Sequence, residues 1–530
     1  MITRIQVIRN LTLIILGRIQ IIEEGILMHT FIENFIYKNT IIILKMASEK
    51  SSDIFDLPPP PRTFSERFKA IGPGIILASL SIGAGEWILF PAAILAFGAG
   101  IMWMAAIGCI VQAVLGAQSM KYTIYCGQPI QHAYMKLGKP VVWAWAWALM
   151  VFIPVIWPGW AAASATAIAA LQLNRLPGAG DANLVLMWGI ILLIISLFIL
   201  HVGYKIQRTL ELINWPVVIL VIVFVAVGVI AGAPAWAWGD IAKGLVIPES
   251  PLGKNADWFA LAAAIAYIPA GFAFNLMLSS YARDKGWGMG SKVGYISAVI
   301  GGRKVKISTE EIPFRLNEEN LKRWKEWEKV AKIDSWIIMS LLTFITVIMT
   351  SVLAYGLLAP KGLKLTGFAV ASAQAAALAD VLGAAAWFII LFGGFWILFG
   401  TQFGLMDSTS RVITDCFWIS SKKARSFAKE DPRRLYYTVL YLEFAIAVIL
   451  MIASIGFGVA QPFVLIALGA NLGLFALLIG YILQVIVDYK FLPKELRPHP
   501  ITTFIIIVGI IWYGFFLTAL LLQTFAGIRL

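Results

Sequence analysis

The stretch GPGIILASLSIGAGEWILFPAAILAFG, residues 72 to 98, is long and apolar enough to cross a bilayer. Gly83, Ala84 and Gly85 interrupt its middle, and a carboxylate, Glu86, follows at once. A helix broken at membrane depth leaves backbone groups that lipid cannot satisfy, so such breaks persist only where they line a protein cavity or bind something. A carboxylate near the centre of a spanning helix costs about 2.5 to 3.5 kcal/mol on insertion scales, so a partner or a ligand must offset it. Gly83 to Glu86 therefore reads as half of a binding site.

Working outward, 60% of the 530 residues are hydrophobic and only 13% are charged, against about 25% charged in soluble domains. The chain reads as an all-α, polytopic membrane protein. Cys109, Cys126 and Cys416 lack C-x-x-C spacing, and His29, His132, His201 and His499 are scattered. Neither a disulfide framework nor a zinc site is indicated. No H-E-x-x-H, G-x-S-x-G or Walker motif points to an enzyme, and no cofactor is expected.

Eleven apolar segments of spanning length follow one another, at about 70–97, 100–124, 141–171, 184–203, 211–232, 258–281, 334–358, 384–408, 435–456, 461–487 and 501–526. Placing the first tail in the cytoplasm puts most of the +13 net charge inside: Arg62, Arg67, Lys69, Lys121, Lys136, Lys139, the 282–333 loop and the Lys422–Arg434 stretch. That asymmetry sets the expected orientation in the cell membrane, with the amino end cytoplasmic and the carboxyl end outside. The basic balance is thus topology, and no nucleic-acid partner is implied.

Residues 1–69 are read as a cytoplasmic tail and 70–530 as the transporting domain. Within the tail, residues 1–45 are Ile-rich but broken by charges, and resemble a membrane-surface helix or an upstream extension of a chain starting at Met46. The Pro-rich stretch 48–61 should be disordered or extended. Trp143, Trp145 and Trp147 suit an interfacial aromatic belt. In the 282–333 loop, Asn317 should cap a helix with Leu321, Trp324, Trp327 and Ala331 on one face, lying on the inner leaflet.

The sixth segment repeats the anomaly of the first. Ile268, Pro269, Ala270 and Gly271 stand where the first has Ile82, Gly83, Ala84 and Gly85. Five spans separate the two, so the halves, about 70–232 and 258–487, have opposite topology, with 501–526 an added helix. Gly/Pro-interrupted segments in matching positions of inverted halves point to the midplane site of a secondary transporter.

The opening GPG, the segment GAGIMWMAAIGCIVQAVLGAQSMKYTIYCGQPI, the RDKGWGMG motif (residues 283–290) and the eleven-span layout resemble the Nramp metal-ion transporters, in a divergent branch. The resemblance implies a LeuT-like five-plus-five fold with helices one and six broken, and divalent cations carried with protons. The family's D-P-G-N falls on Gly83, Ala84, Gly85 and Glu86, and its M-P-H on Phe272, Ala273 and Phe274. Only Gly85 is kept. A carboxylate reappears at Glu86, while the thioether and imidazole ligands are replaced, and a site without soft ligands should favour harder ions.

The expected function is therefore secondary transport of a divalent cation of the manganese, iron or magnesium class, coupled to protons. The alternative is transport of a small organic solute such as an amine or amino acid. Glu86, Gly83, Gly271 and Asn275 are the expected substrate ligands. Phe272, Asp407, Glu443 and Asn471 are candidates for the pathway or the coupling. Asp407 with Arg411 also reads as a self-satisfying i, i+4 pair, and Asn471 as a helix-packing group.

Overall fold

The computed structural model describes residues 54–252, 256–362, 373, 376–378, 383–456 and 462–530. The chain divides into two compact units, Met1–Asp56 and Leu57–Leu530, and every helix discussed below belongs to the second. Residues 1–45 lie outside the described part.

Among the described residues, nine helices are long and apolar enough to span a membrane. They are span one (Pro73–Phe97), two (Ala99–Cys126), three (Pro140–Leu173), four (Ala182–His201), five (Ile206–Gly232), seven (Glu318–Lys361), nine (Pro432–Ser454), ten (Val464–Lys490) and eleven (Pro500–Ala526). Span six is split into Trp258–Tyr267 and Phe274–Lys285, and span eight is the helix Ala384–Ser420. Proline opens several of these helices, including those at Pro73, Pro140 and Pro500, where its missing N–H would be unpaired in any case. Span two stops at Gly127, whose φ of 83° is open to glycine at little cost. The protein is a multi-pass membrane protein, and the described residues contain no strand, only an isolated bridge between Val202 and Ile300.

Two groups of spans organise the packing. Spans one and two contact each other, and each also packs on spans six and seven; spans three, four, eight and nine form a second group, which meets the first where span eight packs on spans one and six and where span five touches one, seven and eight. The interrupted helices therefore lie in one bundle, flanked by the other.

The local expectations are met in part. The interruption of span one is not an unwound gap: Gly85–Leu89 forms a π-helical turn between two α-helical stretches. The expected surface helix after Asn317 is capped as predicted, by an Asn317 side chain accepting from Asn320 N–H. It does not lie apart, because no glycine or proline interrupts Lys332 to Leu342 and the helix runs straight on into span seven. Its Trp324 and Trp327 face is buried against Phe314 and Trp287 instead of lipid. Of the Pro-rich stretch, residues 48–53 lie outside the described part, and residues 57–61 form neither helix nor strand and are held: Leu57 N–H donates to Asn320 Oδ1, Arg323 to Leu57 O, and Trp327 Nε1 to Pro58 O. The second unit begins at Leu57. Of the expected belt, Trp147 is fully buried and stacked on Tyr134, while Trp145 is exposed.

Candidate functional site

The two interruptions meet around Tyr267. Ideal Cβ positions on Gly85 and Gly271 would lie 2.8 and 3.3 Å from its ring, so both glycines allow their backbones to close on it. The Tyr267 hydroxyl donates to Leu80 O at 3.3 Å. Beside it, Tyr267, Phe272 and Trp160 form a ring cluster with centroids 5.4 to 6.3 Å apart. Gly271 and Phe272 both have positive φ, 64° and 48°. For phenylalanine this conformation is unusual, and the buried ring contacts hold it in place.

Glu86 is fully buried within the π turn. Ser81 Oγ donates to its Oε1 at 2.8 Å, whereas Oε2 has no partner. Span one also offers backbone oxygens to neighbouring spans, Glu86 O from the π turn and Leu80 O from the α-helical stretch before it. Thr350 of span seven donates to Glu86 O at 2.6 Å, and Thr401 of span eight donates to Leu80 O at 3.0 Å and Ile397 O at 3.1 Å.

Span six is unwound from Ile268 to Ala273, and its backbone is held by a side chain that sequence reasoning missed. Gln112 of span two donates to Ile268 O at 3.0 Å and to Tyr513 Oη at 2.8 Å, and accepts from Ala270 N–H at 3.0 Å. A Cβ on Gly108, one turn earlier, would come within 2.9 Å of Ile268 O, so the missing side chain lets span two reach the break.

The expected ligands do not all converge. Glu86 and Gly271 both adjoin Tyr267. Gly83 lies within the α-helical part of span one and packs on Thr401, where a Cβ would sit 2.0 Å from Oγ1. Asn275 turns towards Tyr134 and Gly480, donating to Tyr134 Oη at 3.0 Å and leaving its Oδ1 unpartnered. Asn471 donates to Phe259 O at 2.9 Å, a bond that ties span ten to span six.

Asp407 is no isolated helical pair. It accepts from Arg411 at 2.9 and 3.1 Å and from the hydroxyls of Tyr281 and Tyr436, both at 2.6 Å. Arg411 also bonds Asp284, while Arg283 pairs with Asp284 and reaches Asp415 at 2.5 Å. These two arginines and three aspartates are fully buried and fasten the second half of span six to span eight. Glu443 is buried nearby in span nine with both oxygens unpartnered. Arg283 and Asp284 belong to the RDKG motif that sequence reading singled out, but Asp415 and Arg411, which they bond in span eight, lie over a hundred residues away.

No protein-family model matches the chain, and no curated protein matches it. Solved structures do. A mutant of the manganese transporter of Eremococcus coleocola superposes with a TM-score of 0.62 at 13% identity, covering 89% of this chain and 91% of that one. The same transporter bound to an aromatic bis-isothiourea substituted compound gives 0.60 at 14% identity over 89% and 91%. Mhp1, a nucleobase-cation-symport-1 family transporter, in a closed conformation with bromovinylhydantoin bound, gives 0.50 at 14% identity over 88% and 93%. The fold is thus Nramp-like, of the LeuT type, as the resemblance implied.

Proposed function

We propose that this chain is a secondary active transporter working by alternating access, with Glu86 binding a small organic cation such as an amine. The observation that carries the reading is the buried Glu86 carboxylate, with one unpartnered oxygen, next to Tyr267, whose ring packs with Phe272 and Trp160. An ammonium group would donate a charge-assisted hydrogen bond to the carboxylate and gain favourable contact with ring faces. Among the described residues no three His, Cys, Asp or Glu side chains are grouped as metal ligands.

A second reading, transport of a manganese, iron or magnesium ion, is supported by the fold shared with a manganese transporter. In that case Glu86 and backbone oxygens of the interruptions would supply an oxygen-rich set suited to hard ions. Protons are the proposed coupling ion in both readings, since Glu86 can hold either the cation or a proton. Uptake by proteoliposomes containing the purified chain, tested against radiolabelled amines and divalent ions, separates them. Amine uptake that collapses in Glu86→Gln supports the first reading, and uptake of divalent ions alone replaces it with the second. Uptake of neither class by an intact, folded sample refutes both.

A further inference from the structure

Span seven carries a row of buried hydroxyls that the substrate site does not use. Thr343, Thr346 and Thr350 are fully buried at helical spacings of three and four, which places them on one face. Below them the nine residues Ile333–Leu341 form π-helical turns, and i to i+5 winding brings Asp334 onto the same face as Thr343. The row reaches the backbone of Glu86 at one end and the Asp334 carboxylate at the other. At one end Thr350 donates to Glu86 O, and Ser81 donates to the Glu86 carboxylate. At the other, Asp334 accepts from Gly72 and Gly74 N–H at 2.9 and 2.6 Å, at the start of span one.

An intrahelical bond, such as that of Thr346 to Leu342 O, is the ordinary fate of a buried threonine. Thr343 departs from it. Its Oγ1 is buried without any partner, nine residues after Asp334 and seven before Thr350 along the helix. A buried hydroxyl left unpaired costs about 1 to 3 kcal/mol, which a bridging water would recover. Successive turns lie about 5 Å apart, a gap that one water spans with two ordinary hydrogen bonds.

We infer that the Thr343–Thr346–Thr350 face, completed by water, conducts protons between Glu86 and Asp334 over about 20 Å. A protonated Glu86 releases its proton to the adjoining water. Each hydroxyl or water in the row accepts one proton and passes one on, and the Asp334 carboxylate receives the last, so the row itself is unchanged. Glu86 faces Cys109 of span two and Tyr267 of span six, neither of which carries a charge at neutral pH. Asp334 faces Lys285 of span six and Glu211 of span five, which pair with each other at 2.6 Å. The Lys285–Glu211 pair thus stands at the exit and supports release towards solvent.

The inference rests on the transporter reading only in making Glu86 the coupling carboxylate, and its test needs no substrate. The full chain in lipid nanodiscs is subjected to a rapid pH jump, and the carbonyl stretch of protonated Glu86 is followed by infrared spectroscopy. Glu86→Gln identifies that band by removing it. Thr343→Val, which keeps the shape, should slow the loss of the band about tenfold or more, because proton transfer requires partners within hydrogen-bond reach. Thr343→Ser restores the hydroxyl and should return the wild-type rate. Equal rates in wild type and Thr343→Val, or a Ser variant as slow as the Val variant, overturn the inference. Failure of substrate uptake with a normal infrared response would instead count against the transporter reading.

Discussion

Replacing Gln112 by leucine should destabilise the protein without touching Glu86. The substitution conserves most of the volume but removes the donor to Ile268 O and the acceptor for Ala270 N–H. Both backbone groups sit in the unwound part of span six, where Ile268, Ala270, Phe272 and Ala273 are at most 3% exposed. Each buried polar group left unpaired costs about 1 to 3 kcal/mol, so the loss should be about 2 to 6 kcal/mol. Relief from burying the glutamine amide places the expected value towards the lower end. Gln112→Glu, which keeps an acceptor for Ala270 N–H, should be intermediate. Gln118→Leu is the control, since Gln118 is equally buried in the same helix but its Oε1 bonds nothing. Thermal unfolding of the three variants in nanodiscs, followed by intrinsic fluorescence, gives the comparison. If Gln112→Leu unfolds at the wild-type midpoint, or no lower than Gln118→Leu, then the amide does not hold the break.

Glu86→Gln should abolish uptake while leaving the unfolding midpoint near wild type, because it keeps the Ser81 contact and removes only the charge; residual uptake near wild type would refute the site. Arg411→Met leaves Asp407 and Asp284 without their shared cation, and removing one partner of a buried pair costs about 3 to 5 kcal/mol. Size-exclusion profiles and unfolding midpoints should fall accordingly, and an unaffected midpoint would refute that assignment. In the loop before span seven, burial raises the Glu311 carboxyl, but bonds from His132, Lys136 and Tyr122 outweigh this and hold it at about 2. The stability this group contributes is therefore complete above its ordinary value of 4.5 and is lost as pH falls from there towards 2. Limited proteolysis of the loop should rise over that window in wild type, and Glu311→Gln should flatten the response. Cysteine labelling of intact cells should mark residue 530 and spare residue 322, and the reverse pattern would invert the orientation.

Much of the fold was legible in the sequence, because lipid imposes a strong local rule: a span must be a long apolar helix with its backbone bonds satisfied internally. Composition, the periodic apolar segments and the inverted pair of interruptions at Gly83–Glu86 and Ile268–Gly271 all follow from that rule. So did Glu86, since a lone carboxylate in an apolar run stands out against its neighbours. The cap at Asn317 is equally local and was read correctly.

Pairing across the bundle was not legible. Gln112 looks like any polar residue in span two until tertiary packing lays the Ile268–Ala270 backbone against it. Asp407 and Arg411 suggested a pair closed on itself, whereas packing joined them to Asp284 and brought Arg283 onto Asp415. The form of each interruption was likewise decided by its surroundings. In span one Thr350 meets the Glu86 carbonyl of the π turn, while span six unwinds where Gln112 satisfies its backbone. Sequence alone determined that the helices break and that a charge lies at the break, since both are properties of the chain against lipid. Which partners satisfy the exposed groups depends on distant residues, and only the tertiary structure decided it.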